Sequence, residues 1–406
     1  TLEGHRGAVW SCSFSPDGKL CCTGGSGGMI KVWVVRTGLE KCTMVGHEGA
    51  VQCVKWASWT SEHGNTYQRI VSGGSDKTVK IWDCATGLLV GTCKGHMGPV
   101  NCIDVDKLNM KWMISGGRGQ YIKAWSIFGG PEITSIGPNE GGHTDSILCL
   151  SISKNSTFFI SGSVDRTVKV WKIVDPTAKQ LEFELQRTIT DHASAVWTCS
   201  ISPSTKYFLT GSSDSTIKIW NANHIQLHAT LEIGVFVYHL DLSRDGTKMA
   251  AVCNDNTLKV WDLTREYQKH KPVAVLTPSS EYYWDTEDGK PPAGALVFPG
   301  QEHGGSEMDP NTKPDLEDDA LDDDDHQPTL WGCAISPDGC WVVTCGDDRR
   351  VKLWDTRKII GYHVMSFKKK GKKKHKKKPK QVPEESDSKR NAFQNASFKA
   401  NAALNK

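Results

Sequence analysis

The sequence predicts an all-β protein in which seven copies of one four-stranded sheet close around an axis. Three observations predict it. One phrase recurs: SGGSDKTVKIWD at 72–83 returns as SGSVDRTVKVWK at 161–172, TGSSDSTIKIWN at 210–221 and TCGDDRRVKLWD at 344–355. Each copy is a tight turn feeding an alternating strand that ends at a tryptophan. The strand-ending residues Trp33, Trp82, Trp125, Trp171, Trp220, Trp261 and Trp354 are separated by 49, 43, 46, 49, 41 and 93 residues. A period of about 40–45 residues is one four-stranded unit. Finally, a sheet this small is marginal alone, so the copies must bury their faces on one another, and a ring leaves only short edges.

The elements follow from one unit. After Gly46-His47, an inner strand is expected at Val51-Gln52-Cys53-Val54, a second from Arg69 to Ser72, a third from Val79 to Trp82 and an outer one from Leu88 to Cys93. Gly4-His5, Gly95-His96 and Gly142-His143 open other units, and Asp191-His192 opens a fifth. A Gly-His start with a Trp-Asp finish resembles the WD40-repeat family over about residues 1–367. The resemblance implies a seven-bladed β-propeller. It also implies one hydrogen-bonded set per blade, in which buried polar groups partner one another. The set is complete in blade 2 (His47, Ser72, Asp76, Trp82), blade 4 (His143, Ser161, Asp165, Trp171) and blade 5 (His192, Thr210, Asp214, Trp220). It is complete in blade 7 as well (His326, Thr344, Asp348, Trp354), because His326 stands five before Trp331 as His192 stands five before Trp197. Blades 1 and 3 have Gly27 and Gly119 in place of the Asp, and blade 6 has Ile233 for His and Ala251 for Ser/Thr. These departures are expected to weaken single blades without changing the fold. KIIGYHVMSF at 358–367 should supply the outer strand of blade 7, with Thr1 to Gly4 extending the join.

The 93-residue gap is one blade plus an insertion at 278–325, which carries fifteen Asp or Glu against Lys290 and Lys313. Its composition predicts disorder. YYWDTEDG at 282–289 ends like a repeat but has no Gly-His start, so it is not an eighth blade, although Tyr282, Tyr283 and Trp284 form a possible short docking motif. The basic tail, 368–406, opens with ten lysines in thirteen residues and is expected to be disordered too. It reads as a solvated tail, as a nuclear localisation signal, or as a non-specific contact with nucleic acid or an anionic membrane surface. Lysine without interleaved aromatics supplies point charges rather than base readout.

Charge and composition exclude other classes. No apolar run reaches the 18 residues of a membrane span. Cys12, Cys53, Cys102, Cys149, Cys199 and Cys333 recur once per repeat in apolar runs, with no CxxC pair, so buried thiols in an intracellular compartment (cytoplasm, nucleus or both) are expected. No phosphate loop, nucleophile elbow or metalloprotease motif occurs, so neither catalysis nor a metal or cofactor is expected. The chain opens on Thr1 rather than Met, which fits a fragment, the substrate-binding end of a longer enzyme included.

The resemblance implies a rigid platform for protein or peptide partners. Five residues after each Gly-His histidine, a side chain should rise at the channel mouth. Those positions are Trp10, Gln52, Asn101, Leu148, Trp197, Tyr238 and Trp331, with Tyr238 placed by aligning Ser243 with Ser202. Blades 5, 6, 7 and 1 adjoin in a closed ring, so four of these make an aromatic arc suited to anchoring a partner. The alternative is that the rings plug the channel. None of the seven is arginine, and only Arg118 stands just before a turn position, which disfavours a phosphopeptide-reading ubiquitin-ligase adaptor.

Overall fold

Alternating apolar and polar residues between glycine-bearing turns fold as antiparallel strands throughout. A computed structural model describes residues 1–60, 66–178, 180–264, 272–276 and 329–358. The insertion 278–325 with its 282–289 stretch, His326, residues 359–367 of the expected last strand and the tail 368–406 lie outside the described residues.

Blade 1 is β1 Val9–Phe14, β2 Leu20–Gly25, β3 Met29–Val34 and β4 Glu40–Val45, and blade 2 is β5 Val51–Thr60, β6 Thr66–Gly74, β7 Thr78–Asp83 and β8 Leu89–Lys94. Blade 3 is β9 Val100–Val105, β10 Trp112–Gly117, β11 Ile122–Ser126 and β12 Glu132–Ile136, and blade 4 is β13 Ile147–Ile152, β14 Phe158–Ser163, β15 Val168–Ile173 and β16 Phe183–Ile189. Blade 5 is β17 Val196–Ile201, β18 Tyr207–Ser212, β19 Thr216–Asn221 and β20 Gln226–Glu232. Blade 6 is β21 Val237–Leu242, β22 Lys248–Cys253, β23 Leu258–Asp262 and β24 Ala274–Leu276, and blade 7 shows β25 Leu330–Ile335, β26 Trp341–Gly346 and β27 Val351–Asp355. Each sheet runs from inner to outer strand in chain order. The inner strands adjoin in sequence, and β25 packs against β1, so seven blades close a propeller.

The core lies between blades. Trp33, Trp82, Trp125, Trp171, Trp220 and Trp261 are at most 1% exposed and pack with strands of neighbouring blades, as Trp82 does with Val32 and Met44 of blade 1. Ser15, Asp17 and Gly18 show the turn that ends an inner strand: the Ser15 hydroxyl donates to Asp17 at 2.6 Å, and Gly18 takes φ 70°, a conformation glycine adopts without strain. Blade 2 has Ala57 where blade 1 has Ser15, and its inner and second strands run longer than the sequence pattern implied, to Thr60 and from Thr66, while Leu88 is an exposed residue just before β8 rather than part of it.

The chain start closes the ring. Leu2 N donates to Val351 O at 2.7 Å, and Val351 N to Leu2 O at 3.1 Å. The Leu2 side chain, 3% exposed, sits in the core shared by blades 7 and 1 with Val9, Cys345 and Val351. Beyond β27, residues 356–358 are helical, so Lys358 itself is not in a strand. Leu2→Ala is expected to cost about 2 kcal/mol or more, the range for a buried leucine, whereas Leu39→Ala, at a side chain 67% exposed, should leave the denaturation midpoint unchanged.

Candidate peptide-docking cavity

The hydrogen-bonded residues tie the loop before an inner strand to the turn before the third strand, as His47 and Asp76 do in blade 2. In blade 2 the Trp82 Nε1–H donates to Ser72 Oγ at 2.8 Å, His47 Nε2 meets the same hydroxyl at 2.7 Å, and His47 Nδ1 meets Asp76 Oδ2 at 2.8 Å. Asp76 also accepts from the backbone N–H groups of Glu48 and Thr78, at 3.1 and 3.0 Å. Blade 4 repeats this with Trp171–Ser161 at 2.9 Å, His143–Ser161 at 2.7 Å and His143–Asp165 at 2.9 Å. Blade 5 does so with Trp220–Thr210 at 2.9 Å, His192–Thr210 at 2.7 Å and His192–Asp214 at 2.7 Å. In blade 7 the Trp354 indole donates to Thr344 Oγ1 at 2.9 Å, and Asp348 pairs with Lys352 at 3.2 Å; His326 is outside the described residues.

The incomplete blades show what the missing residues do. His5 and His96 keep their hydroxyl partners Thr23 and Ser115, at 2.7 and 2.6 Å. Facing Gly119 instead of an aspartate, His96 Nδ1 is buried without a partner, as is the Trp261 Nε1 of blade 6. Burial, with Lys31 and Lys123 as the nearest cationic contributions, lowers His5 and His96 to about 4. Burial also lowers His47 and His192, against the opposing pull of Asp76 and Asp214. These two carboxyls are held below their ordinary range because their hydrogen bonds outweigh desolvation.

The seven channel-mouth residues share a geometric origin. Register shifts fall at Val9/Ser11, Val51/Cys53, Gly116/Gly117 opposite Asn101, Ile147/Cys149, Val196/Thr198, Val237/His239 and Leu330/Gly332. Trp10, Gln52, Asn101, Leu148, Trp197, Tyr238 and Trp331 are thus the extra residues of seven β-bulges, which re-aim a side chain. In blade 3 the facing position must be glycine, since a Cβ on Gly117 would lie 2.0 Å from Pro99 O. All seven are partly exposed and line one cavity of about 820 Å³. Tyr238 packs edge-on to Trp197 at 5.6 Å and tilted on Trp331 at 4.9 Å between ring centroids, and the Trp331 indole donates to Asp347 at 2.6 Å. Trp10 and Arg118 line the same cavity.

Deeper in the cavity are charged residues that the sequence reading passed over. Lys55, Asp104 and Asp241 line it, three residues beyond Gln52, Asn101 and Tyr238. That fixed offset was the available signal. Burial opposes the Lys55 charge, but Asp104 and Asp241 hold the ammonium above its ordinary range. Burial and Lys55 push His239 down to about 3, so it is a neutral ring. Cys53, Cys102, Cys149 and Cys199 are buried free thiols along the wall. Burial raises Cys53 to about 12 and Cys102 and Cys199 well above the ordinary range, which removes thiolate nucleophilicity. Among the described residues no group of three His, Cys, Asp or Glu is placed to hold a metal ion, and no helix is long and apolar enough to cross a membrane. A second aromatic group was also missed: Trp59 stacks on Tyr67 at 5.5 Å, Phe128 meets it edge-on, and Arg69 lies over both Trp59 and Phe128. The length of the blade 2 hairpin was its only signal.

The family model WD40, described as the WD domain, G-beta repeat, matches residues 1–34, 39–83, 87–126, 138–172, 183–221, 228–262 and 323–355. The Periodic tryptophan protein 2 homolog of Caenorhabditis elegans is 29% identical over 181 residues, 44% of this chain and 18% of that protein. The Eukaryotic translation initiation factor 3 subunit I of Scheffersomyces stipitis is 55% identical over 42 residues, 10% of this chain and 11% of that protein. The Ribosome biogenesis protein ERB1 of Yarrowia lipolytica is 39% identical over 62 residues, 14% of this chain and 8% of that protein. In each case the match spans less than a fifth of the relative's length.

Two stability outcomes follow. Asp76→Ala should cost about 1–3 kcal/mol in chemical denaturation, since it strands buried donors, while Asp175→Ala on an exposed turn should be neutral. Gly119→Asp places a carboxylate beside His96 Nδ1, which is buried without an acceptor, and a Cβ there meets Met97 N at 3.4 Å. It should gain about 1 kcal/mol. Acidification tests the histidines. With folded values near 4 against about 6.5 unfolded, His5 and His96 bind protons only in the unfolded state between those pH values. Their stabilisation is present above pH ~6.5 and is lost as pH falls towards 4, by up to about 1.4 kcal/mol per pH unit for each. His96→Gln should make that slope shallower, and an unchanged slope would show that His96 does not stay neutral.

Proposed function

This chain belongs to the WD40-repeat family, and from that premise we propose that it is a non-enzymatic scaffold binding a protein or peptide partner on the propeller face that carries the cavity. The observation that carries the reading is the convergence of seven bulge residues on one cavity, with Tyr238 in ring contact with both Trp197 and Trp331 and all three still partly exposed. A side chain needed only for packing would alternate into the blade. These instead present apolar area to solvent, which favours use as interface anchors. The similar proteins named for ribosome biogenesis and translation initiation support a place in an intracellular assembly, cytoplasmic or nuclear.

A second reading rests on the ten lysines at 368–380. On it the tail adds non-specific, salt-sensitive contact with RNA, DNA or an anionic membrane surface. The two readings separate in one capture experiment with the full chain. Trp197→Ala and Trp331→Ala should each weaken partner binding by about 2 kcal/mol or more without moving the melting temperature. Replacing the lysines of 368–380 by glutamine should leave that binding intact and abolish heparin binding at low salt. Normal partner binding by both arc variants refutes the docking face, and unchanged heparin binding refutes the tail contact.

A further inference from the structure

We infer that the cavity takes an acidic peptide segment, with a partner's glutamate or aspartate side chain seated on Lys55 and an apolar neighbour against the aromatic wall; this rests on the docking reading above. Lys55 breaks a pattern. Three residues beyond each bulge, the inner strand commonly offers an acceptor to the next blade: Ser13 to the Trp56 N–H at 3.3 Å, Asp104 to Ile152 at 2.7 Å, Ser151 to Ile201 at 3.2 Å and Asp241 to Ile335 at 2.9 Å. Lys55 occupies this position in blade 2 and is donor-only. It cannot bridge the blades this way; it lines the cavity, and among the described residues no hydrogen bond holds its ammonium, which Asp104 and Asp241 favour only through space.

The remaining charges of the cavity sharpen the inference. Its carboxylates are already engaged by the protein. Asp104 accepts from Ile152 N and pairs with Lys107 at 3.1 Å, Asp241 accepts from Ile335 and Leu242, and Asp145 accepts from Ser146 N at 2.5 Å. Lys107 in turn donates to Ile152 O at 2.8 Å. Among the described residues, the charged groups of Lys55 and the exposed Arg118, on adjacent blades 2 and 3, make no hydrogen bond, although Asp104 and Asp241 favour the Lys55 charge through space. Trp197, Tyr238 and Trp331 stand on blades 5, 6 and 7, across the channel. The unmet capacity is therefore for a hydrogen-bond acceptor on one wall and apolar area on the other. A carboxylate fits the first, because a charge-assisted hydrogen bond to an ammonium is the strong kind. Strand rise places Lys55 roughly 10 Å below the mouth, so a glutamate reaching down from a peptide lying across the aromatic wall suits the depth.

The test is fluorescence polarisation on the full chain with two labelled peptides, both acetylated and amidated so that their only carboxylates are side chains. One has a Trp-Glu-Leu-Glu core, the other Trp-Gln-Leu-Gln. The acidic peptide should bind about tenfold tighter or more, the worth of one charged hydrogen bond. Lys55→Met should abolish that preference and Lys55→Arg should keep it. Arg118→Ala, on the exposed rim, should reduce the preference without any cost to folding. Equal binding of both peptides, weakened by Trp331→Ala, overturns the acidic assignment but leaves the docking face standing. Binding of neither peptide together with normal partner capture by the arc variants removes the docking face itself. An acidic preference that survives Lys55→Met, or one that needs a free C-terminus, assigns the cavity differently and overturns the inference. So does a probe that binds only after the acids of 315–325 are replaced, which would make that run the occupant.

Discussion

The architecture depends on one buried hydrogen bond repeated around the ring, from the indole N–H of the third-strand tryptophan to a hydroxyl on the second strand. It is present at 2.7–2.9 Å in blades 1, 2, 3, 4, 5 and 7. Once its ring is buried an indole N–H needs an acceptor within the protein, and an unmet donor costs about 1–3 kcal/mol. The bond therefore lets the largest side chain fill the space between blades without leaving a stranded donor. It also leaves the hydroxyl as a partner for histidine, and through histidine the loop before each inner strand is tied to the turn before the third. Blade 6 has only the packing half of this device. Ala251 offers no hydroxyl, Trp261 Nε1 is unpartnered, and the outer strand is three residues long. Tyr238, the middle ring of the aromatic contact, is thus carried by a blade that lacks the hydroxyl tie.

The bulges separate folding from binding. In each inner strand the residue before the bulge is buried and branched: Val9, Val51, Val100, Ile147, Val196, Val237 and Leu330. The bulge residue that follows leaves the alternation and faces the cavity, so packing places little demand on its identity. Tryptophan, tyrosine, leucine, glutamine and asparagine all occur there. One scaffold thereby presents seven side chains on fixed strands, and their mixture, together with Lys55 below them, gives the cavity an aromatic wall and a charged wall.

Much of this was legible as text. The number of blades follows from tryptophans at a near-constant period, and the hydroxyl partner from its constant place ten residues before each tryptophan, as Ser72 precedes Trp82. The weakness of blade 3 follows from Gly119, because a glycine cannot accept from His96. Six of the seven cavity positions were readable by counting from histidine, and Tyr238 by aligning Ser243 with Ser202, since a short strand pairs in one register. All of these are local relations, set by spacing within a repeat. The bulge behind the seven positions was not visible, because it appears only when one strand is laid against its neighbour. Nor was the meeting of Leu2 with Val351, the contacts of the Tyr238 ring with Trp197 and Trp331, or the place of Lys55 between Asp104 and Asp241. Those depend on residues from about 40 to 350 apart, brought together by ring closure rather than by any propensity of the chain. Local chemistry specified the blade; the geometry of seven blades around one axis made a cavity of it.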